Sequence, residues 1–328
     1  MHDWLIETWY GGTRRGLWLR PLAAVYVLAA ALDRALYRLG LRRAYRATIP
    51  VVVIGNVTVG GTGKTPLVLW LAERLRERGL RVGVVSRGYG RRGAAARRVT
   101  RQDPPAEVGD EPALVSRRLG VAVAVAAARP DAARLLEGDC DLILSDDGLQ
   151  HHALARDAEI AVVDGRRGLG NGWRLPAGPL REAASRLDRV GAVVVNGEGY
   201  SRPGALRMDV EPIRFVELAT GRAVPPAAFA GQRAHAVAAL GHPERFFALL
   251  RQLEVEPVEH RFRDHHAFSP ADVAFGDALP VLMTEKDAVK CTGFAPPGTW
   301  CLEIGARFAA EDERRLLAVI EGALRARR

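Results

Sequence analysis

The chain has 328 residues, 48% hydrophobic and 26% charged, with a net charge of +9. That length and balance suit a globular protein of about two domains, and exclude fibrous, disorder-rich and repeat architectures. Three cysteines, Cys140, Cys291 and Cys301, are an odd count at no metal-ligand spacing, which argues for thiols in a reducing compartment and against a disulfide framework.

The first predicted element is amino-terminal. Pro21 to Leu32 is a run of twelve uncharged, mostly apolar residues between Arg20 and Asp33. A spanning helix needs about 20 such residues, so this one is too short to cross a membrane alone. Trp4, Trp9, Tyr10 and Trp18 precede it, and Arg14, Arg15, Arg20, Arg42, Arg43 and Arg46 flank it. Indoles favour the headgroup zone and arginines favour anionic lipid, so the segment reads as a helix lying in one leaflet. The competing reading is a buried core helix.

Residues 49–54 (IPVVVI) read as a buried strand. A glycine-rich stretch follows: Thr58, Val59, Gly60, Gly61, Thr62, Gly63, Lys64 and Thr65. Helical apolar spacing begins at Leu67. Strand, glycine-rich loop and helix are the context a phosphate-binding loop requires. Glycines let successive backbone N–H groups curl around phosphate oxygens, and the helix amino terminus adds a favourable dipole. Lys64 is placed to reach the β and γ phosphates and Thr65 to ligate Mg²⁺. Pro66 is tolerated in the first helical turn, where its missing N–H has no intrahelical partner. Thr58 stands where the strict pattern has glycine.

Residues 81–86 form a second strand, leading into Arg87, Gly88, Tyr89, Gly90 and Arg91. This loop reads either as a grip on an anionic group, with Arg87, Tyr89 and Arg91 as contacts, or as an exposed basic turn. Asp110 and Glu111 open a helical stretch that continues from Ala113 to Leu119. They are either dipole-complementing caps or carboxylates for proton handling and metal binding. Residues 141–145 read as another core strand, ending in Asp146 and Asp147. Carboxylates at that end of a parallel strand lie beside the phosphate loop and can hold Mg²⁺. Thr65, Asp146, Asp147 and Glu111 are the metal candidates. Gln150, Asn171 and Arg174 are candidates for substrate contact, with Trp173 interposed before Arg174.

Further strands are expected at 121–126, 159–164, 190–196, 234–240, 256–263, 280–284 and 299–304, with helices at 243–253 and 309–327. Alternation of strands and helices predicts an α/β protein with a parallel-sheet, P-loop NTPase-like core and a second, smaller α/β domain. The expected division is a membrane-associated segment at 1–46, a kinase core at 47–205 and the smaller domain at 206–328. Thr284, Glu285, Lys286 and Asp287 resemble a guanine-reading motif, but Lys and Asp are adjacent and the spacing fails.

Several of these segments together resemble the tetraacyldisaccharide 4'-kinase family, the lipid A 4'-kinases. The matching stretches are Gly55 to Pro66, Ser86 to Arg91, Val108 to Pro112, Asp146 to His151, Gly170 to Gly172, Leu175 to Glu182, Asp264 to His266 and Thr284 to Lys290. They follow the family order over nearly the whole chain, and Thr58 is also how that family writes its loop. The resemblance implies an enzyme on the cytoplasmic face of the Gram-negative inner membrane. It would use ATP and Mg²⁺ to phosphorylate the 4'-hydroxyl of a tetraacylated glucosamine disaccharide 1-phosphate. Its catalytic set would be Lys64, with Asp110 orienting or sharing a proton with His265 across an interdomain cleft that closes. The expected partners are the lipid substrate and the membrane surface, with no nucleic acid and no obligate protein partner. A partition- or targeting-type ATPase switch is the alternative; that class carries a lysine where this chain has Val59. Nucleic-acid binding has no stacking or helix-turn-helix motif to support it.

Overall fold

A computed structural model describes residues 3–11 and 14–327. Two helices open the described chain, α1 (Asp3–Tyr10) and the longer α2 (Arg20–Arg38). The first half then runs β1 (Val51–Gly55), α3 (Lys64–Glu77), β2 (Val82–Ser86), β3 (Arg97–Val99), α4 (Pro105–Val108), α5 (Asp110–Leu119), β4 (Ala122–Val125), α6 (Arg129–Leu136), β5 (Leu142–Asp146), β6 (Ala158–Asp164) and β7 (Ala192–Asn196). The second half runs β8 (Leu206–Glu217), β9 (Ala223–Val224), β10 (Arg233–Ala238), α7 (Pro243–Gln252), β11 (Glu256–Arg261), β12 (Val281–Thr284), α8 (Glu285–Cys291), β13 (Thr299–Phe308) and α9 (Ala310–Arg325).

All strands join one sheet, in the order β11-β10-β12-β13-β8-β7-β6-β1-β5-β2-β4-β3, with β9 on β8. From β4 to β7 and on to β8 the strands are parallel, as buried Val- and Ile-rich runs require. In β1, Val52 and Ile54 enter one core with α3, α5 and α9, while Val51 and Val53 enter the opposite core with α6. Both faces of the strand are therefore dry.

The expected boundary at 206 falls at the start of the longest strand among the described residues. Met208 of β8 pairs with Asn196 at the end of β7, and the rest of β8 runs past that end to pair antiparallel with β13. Strands β10, β11 and β12 then lie parallel to β13 and oppose the first set in direction. The carboxyl ends of the two strand sets thus face one another, and a crevice outside the carboxyl ends is where α/β sheets bind ligands. Between the two sets, Val210 to Pro212 and Ile304 to Ala306 pair only with each other, beside an irregularity at Glu303 and Ile304. Helix α9, expected within the second domain, buries Leu316, Leu317 and Ile320 in the first core.

Helix α2 is not a buried core helix. Leu22, Val25, Leu28 and Leu32 are 54–69% exposed along one side, and only Ala23 is buried. The inward side is polar: the Tyr26 hydroxyl donates to the Arg181 carbonyl at 3.0 Å and Arg34 pairs with Glu182 at 3.0 Å. Among the described residues, no helix is long and apolar enough to cross a membrane. Trp9, expected among the interfacial aromatics, is instead buried, and its indole N–H donates to the Pro176 carbonyl. The side chains of Arg14 and Arg15 lie outside the described residues.

Candidate active site

The phosphate loop leaves β1 at Gly55 and enters α3 at Lys64. Buried Asn56 braces it from within: its amide donates to the carbonyls of Thr58 at 2.7 Å and Gly60 at 3.3 Å. Its side-chain oxygen accepts from the Lys64 ammonium at 3.1 Å. The loop also pairs outward, the Val59 N–H donating to the Pro179 carbonyl. Gly63 has φ +93, and a Cβ there would meet the Asn196 amide at 2.3 Å, so only glycine fits. The Thr62 hydroxyl is buried without a partner. A curl of backbone N–H groups with an orphaned hydroxyl at a helix start is a cradle for phosphate oxygens.

Two carboxylates stand over the loop. Asp146 ends β5 fully inside the protein, its Oδ1 unpartnered. Burial, then the nearby Glu111 charge, lifts its carboxyl to about 7 against the pull of Lys64. Burial also opposes ionisation of Asp147, but Lys64 and Arg181 outweigh it and hold that carboxyl at about 2. Arg181 donates to both oxygens of Asp147 at 2.9 and 3.0 Å, and the Lys64 ammonium lies 3.5 Å away. Arg129 supports the turn from below by donating to the carbonyls of Asp146 and Asp147.

The opposite wall comes from the second half. His265 Nδ1 lies 2.9 Å from Asp110 Oδ2, so the pair meets in this structure without further domain movement. His265 has φ +60, an uncommon conformation that aims its ring back at α5. Tyr89 covers the ring from the basic loop at 5.2 Å between centroids. Thr284 caps α8, accepting from the Asp287 N–H, and that helix sends two lysines to the site. Lys286 reaches Glu111 at 3.4 Å, and buried Lys290 lies between Asp287 at 2.9 Å and Asp110 at 3.9 Å. The buried Arg118–Glu285 ion pair at 2.7 Å ties α5 to α8 behind them.

Lys64, Asp146, Asp147, Glu111, Asp110, His265 and Tyr89 therefore converge on one crevice. Arg87 is exposed near Arg129, and Arg91 tucks under Gly88 with one buried guanidinium nitrogen unpartnered. Two predicted substrate contacts are spent on the scaffold. Asn171 donates to the carbonyls of Thr8 and Ala177 and accepts from the Trp173 N–H, clamping α1 to the 170s loop. Arg174 donates to the Arg181 carbonyl. Gln150 bridges the Asn56 carbonyl and the buried Glu182 carboxylate. Sequence reading passed over Asn56, Arg129, Arg181, Glu182, Lys286 and Lys290 as site residues, although all but Arg129 lie within the quoted motifs.

These residues fit a nucleotide with Mg²⁺. Among the described residues no set of three or more His, Cys, Asp and Glu forms a metal cage. A hydroxyl at Thr65 with one or two carboxylates, Asp146 foremost by its unpartnered oxygen, instead suits an ion shared with phosphate oxygens.

A family model described as tetraacyldisaccharide-1-P 4'-kinase (LpxK) matches residues 15–324. A relative named tetraacyldisaccharide 4'-kinase from Azotobacter vinelandii is 50% identical over 308 residues, 93% of this chain and 92% of that one. Another of the same name from Pseudomonas aeruginosa is 48% identical over 306 residues, 92% of each. Among solved structures, LpxK from Aquifex aeolicus in complex with ATP matches with a TM-score of 0.81 at 26% identity, over 94% of this chain and 99% of that one. The family model and these relatives cover almost the full length, and the chain belongs to the tetraacyldisaccharide 4'-kinase family.

Proposed function

We infer that the protein transfers the γ-phosphoryl group of ATP to the 4'-hydroxyl of a tetraacylated glucosamine disaccharide 1-phosphate. The observation that carries this is the phosphate loop, with Lys64, facing the Asp110–His265 pair across a single crevice. Phosphoryl transfer needs mainly positioning and charge neutralisation. The loop N–H groups and Lys64 hold the phosphate chain. Mg²⁺, held by Thr65 with Asp146, and with Asp147 or Glu111 alongside, supplies neutralisation of the phosphate charge when bound. The sugar oxygen forms its bond to phosphorus as the bond to ADP breaks, and its proton passes to the Asp110–His265 pair. Asp110 accepting from His265 Nδ1 leaves Nε2 as the ring's acceptor, with Asp264 Oδ1 3.9 Å from it. Arg87, Tyr89 and Arg91 form the basic rim on the acceptor side, with Gln150 behind it.

The acceptor is acylated, and the exposed apolar side of α2 matches it. That side lies in the membrane surface, on the cytoplasmic leaflet where ATP is available, and the flanking arginines meet anionic headgroups. Hydrocarbon buried there contributes roughly 2 kcal/mol per leucine. Residues 47–205 carry the nucleotide and 206–328 carry His265 and the two lysines.

The test is incubation with radiolabelled ATP and the lipid disaccharide monophosphate in detergent. Label is expected in the lipid, and Lys64→Ala is expected to remove it. Release of inorganic phosphate at the same rate with and without lipid would mark an ATPase switch instead.

A further inference from the structure

Arg167 follows β6, in the loop that passes beside the amino-terminal half of the phosphate loop. A Cβ built on Gly60 would lie 3.7 Å from Arg167 Nη1, so the guanidinium faces the open side of that glycine across the space a side chain would fill. Among the described residues no ion pair to a carboxylate is made by the Arg167 side chain. The obvious neighbour, buried Asp164, is otherwise engaged. One of its oxygens accepts from the backbone N–H groups of Arg166 and Arg167, and the other pairs with Arg245 at 2.5 Å. Asp164 therefore fixes where the Arg167 backbone sits and acts on its side chain only from a distance, without a direct ion pair.

The guanidinium is nevertheless held. Nη2 donates to His242 Nδ1 at 2.9 Å, and the Tyr10 ring lies 4.9 Å from its central carbon. Burial, then Arg167 and Arg245, pushes His242 down to about 4, so its ring stays neutral and keeps a lone pair for the arginine. A half-buried cation, held by neutral hydrogen-bonding and aromatic groups and facing Gly60, is free of a direct carboxylate partner and can take an anion. Lys64 approaches the same loop from the other side, reaching Asn56 and Asp147. The Gly60 side, lacking any side chain, is where a phosphate oxygen and a guanidinium can meet.

We propose that Arg167 is a catalytic arginine that contacts the terminal phosphates of ATP and stabilises the charge that develops on them during transfer. It draws together α1 through Tyr10, the first half through its own loop, and the second half through His242. The inference rests on the kinase reading above. A planar fork can bind two phosphate oxygens at once, which lysine cannot, and an arginine in this role contributes more to turnover than to ground-state binding.

The experiment compares wild type, Arg167→Ala and Arg167→Lys for kcat and KM in lipid phosphorylation, ADP affinity by calorimetry, and melting temperature. Arg167→Ala is expected to lower kcat at least about a hundredfold with ADP affinity within about threefold. Millimolar guanidinium ion is expected to restore part of that rate. Arg167→Lys, which keeps the stem and the charge, is expected to remain at least about tenfold slow. A kcat within about threefold of wild type in either variant would overturn the proposal. So would a loss that follows melting temperature and ADP affinity downward and does not respond to guanidinium, because that is the mark of a strut. Wild-type protein that labels no lipid would instead remove the kinase reading itself, whatever the variants do.

Discussion

At the scale of single residues, the site is built from partners that have no use apart. His265 and Asp110 lie 2.9 Å apart, and each orients the other. Asp110→Asn and His265→Ala are each expected to lower kcat by about 10²–10³ while leaving the KM for ATP within about threefold. Because the two act as a unit, the double variant should be no slower than the worse single one, and multiplied losses would show them to be independent. The residues most readable from sequence were those whose chemistry is local. Lys64 and Thr65 follow a glycine loop, and Asp146 and Asp147 end a strand, so their roles are spelled by adjacent letters. The hydrogen bonds of Asn171 and Arg174 could not be read in the same way, because their partners are the carbonyls of Thr8, Ala177 and Arg181. No side-chain pattern records which carbonyl lies within reach. Lys286 and Lys290 were passed over for a related reason: their carboxylates, Glu111 and Asp110, sit on α5, far away in the chain.

At the scale of elements, α2 divides its two sides by chemistry. Leu28 and Leu32 are 69% and 62% exposed, while Tyr26 and Arg34 anchor the inner side. Replacing Leu28 and Leu32 together with Glu is expected to weaken sedimentation with anionic liposomes at least about tenfold and to leave the melting temperature nearly unchanged. A fall in melting temperature with intact liposome binding would show the stripe to be packing surface. Sequence reading found this segment by its run of apolar residues but not its orientation, since a twelve-residue run is compatible with either environment. The central strands were legible for the opposite reason: buried on both faces over most of their length, β1, β2, β5 and β6 are dominated by apolar residues. Strand β8 was missed because its burial varies along its length, and it carries Pro212 and five charged side chains, which resemble a linker.

At the scale of the whole molecule, the last described helix packs into the first core and not into a core of the second half that precedes it. Helix α9 returns after the second half is complete and lays Leu316, Leu317 and Ile320 under the central strands. Leu317 is 2% exposed, and Leu317→Ala is expected to cost about 3 kcal/mol in urea denaturation. An effect below about 1 kcal/mol would mean that α9 is only draped on the surface. Such a return is invisible to composition, because α9 has an amphipathic pattern that would serve equally well against either half.

The narrow stretch where Val210 to Pro212 meet Ile304 to Ala306 has a mechanical meaning. Two strands twist more readily than a wide sheet, so a change of angle between the nucleotide half and the half bearing His265 would be taken up here, against the packing of Val210 and Ala306 on the first core. If the crevice opens to admit a bulky lipid, this ladder of paired strands would act as a leaf spring and set the angle to which it returns. Stiffening it should slow the passage of lipid in and out while leaving every catalytic group intact.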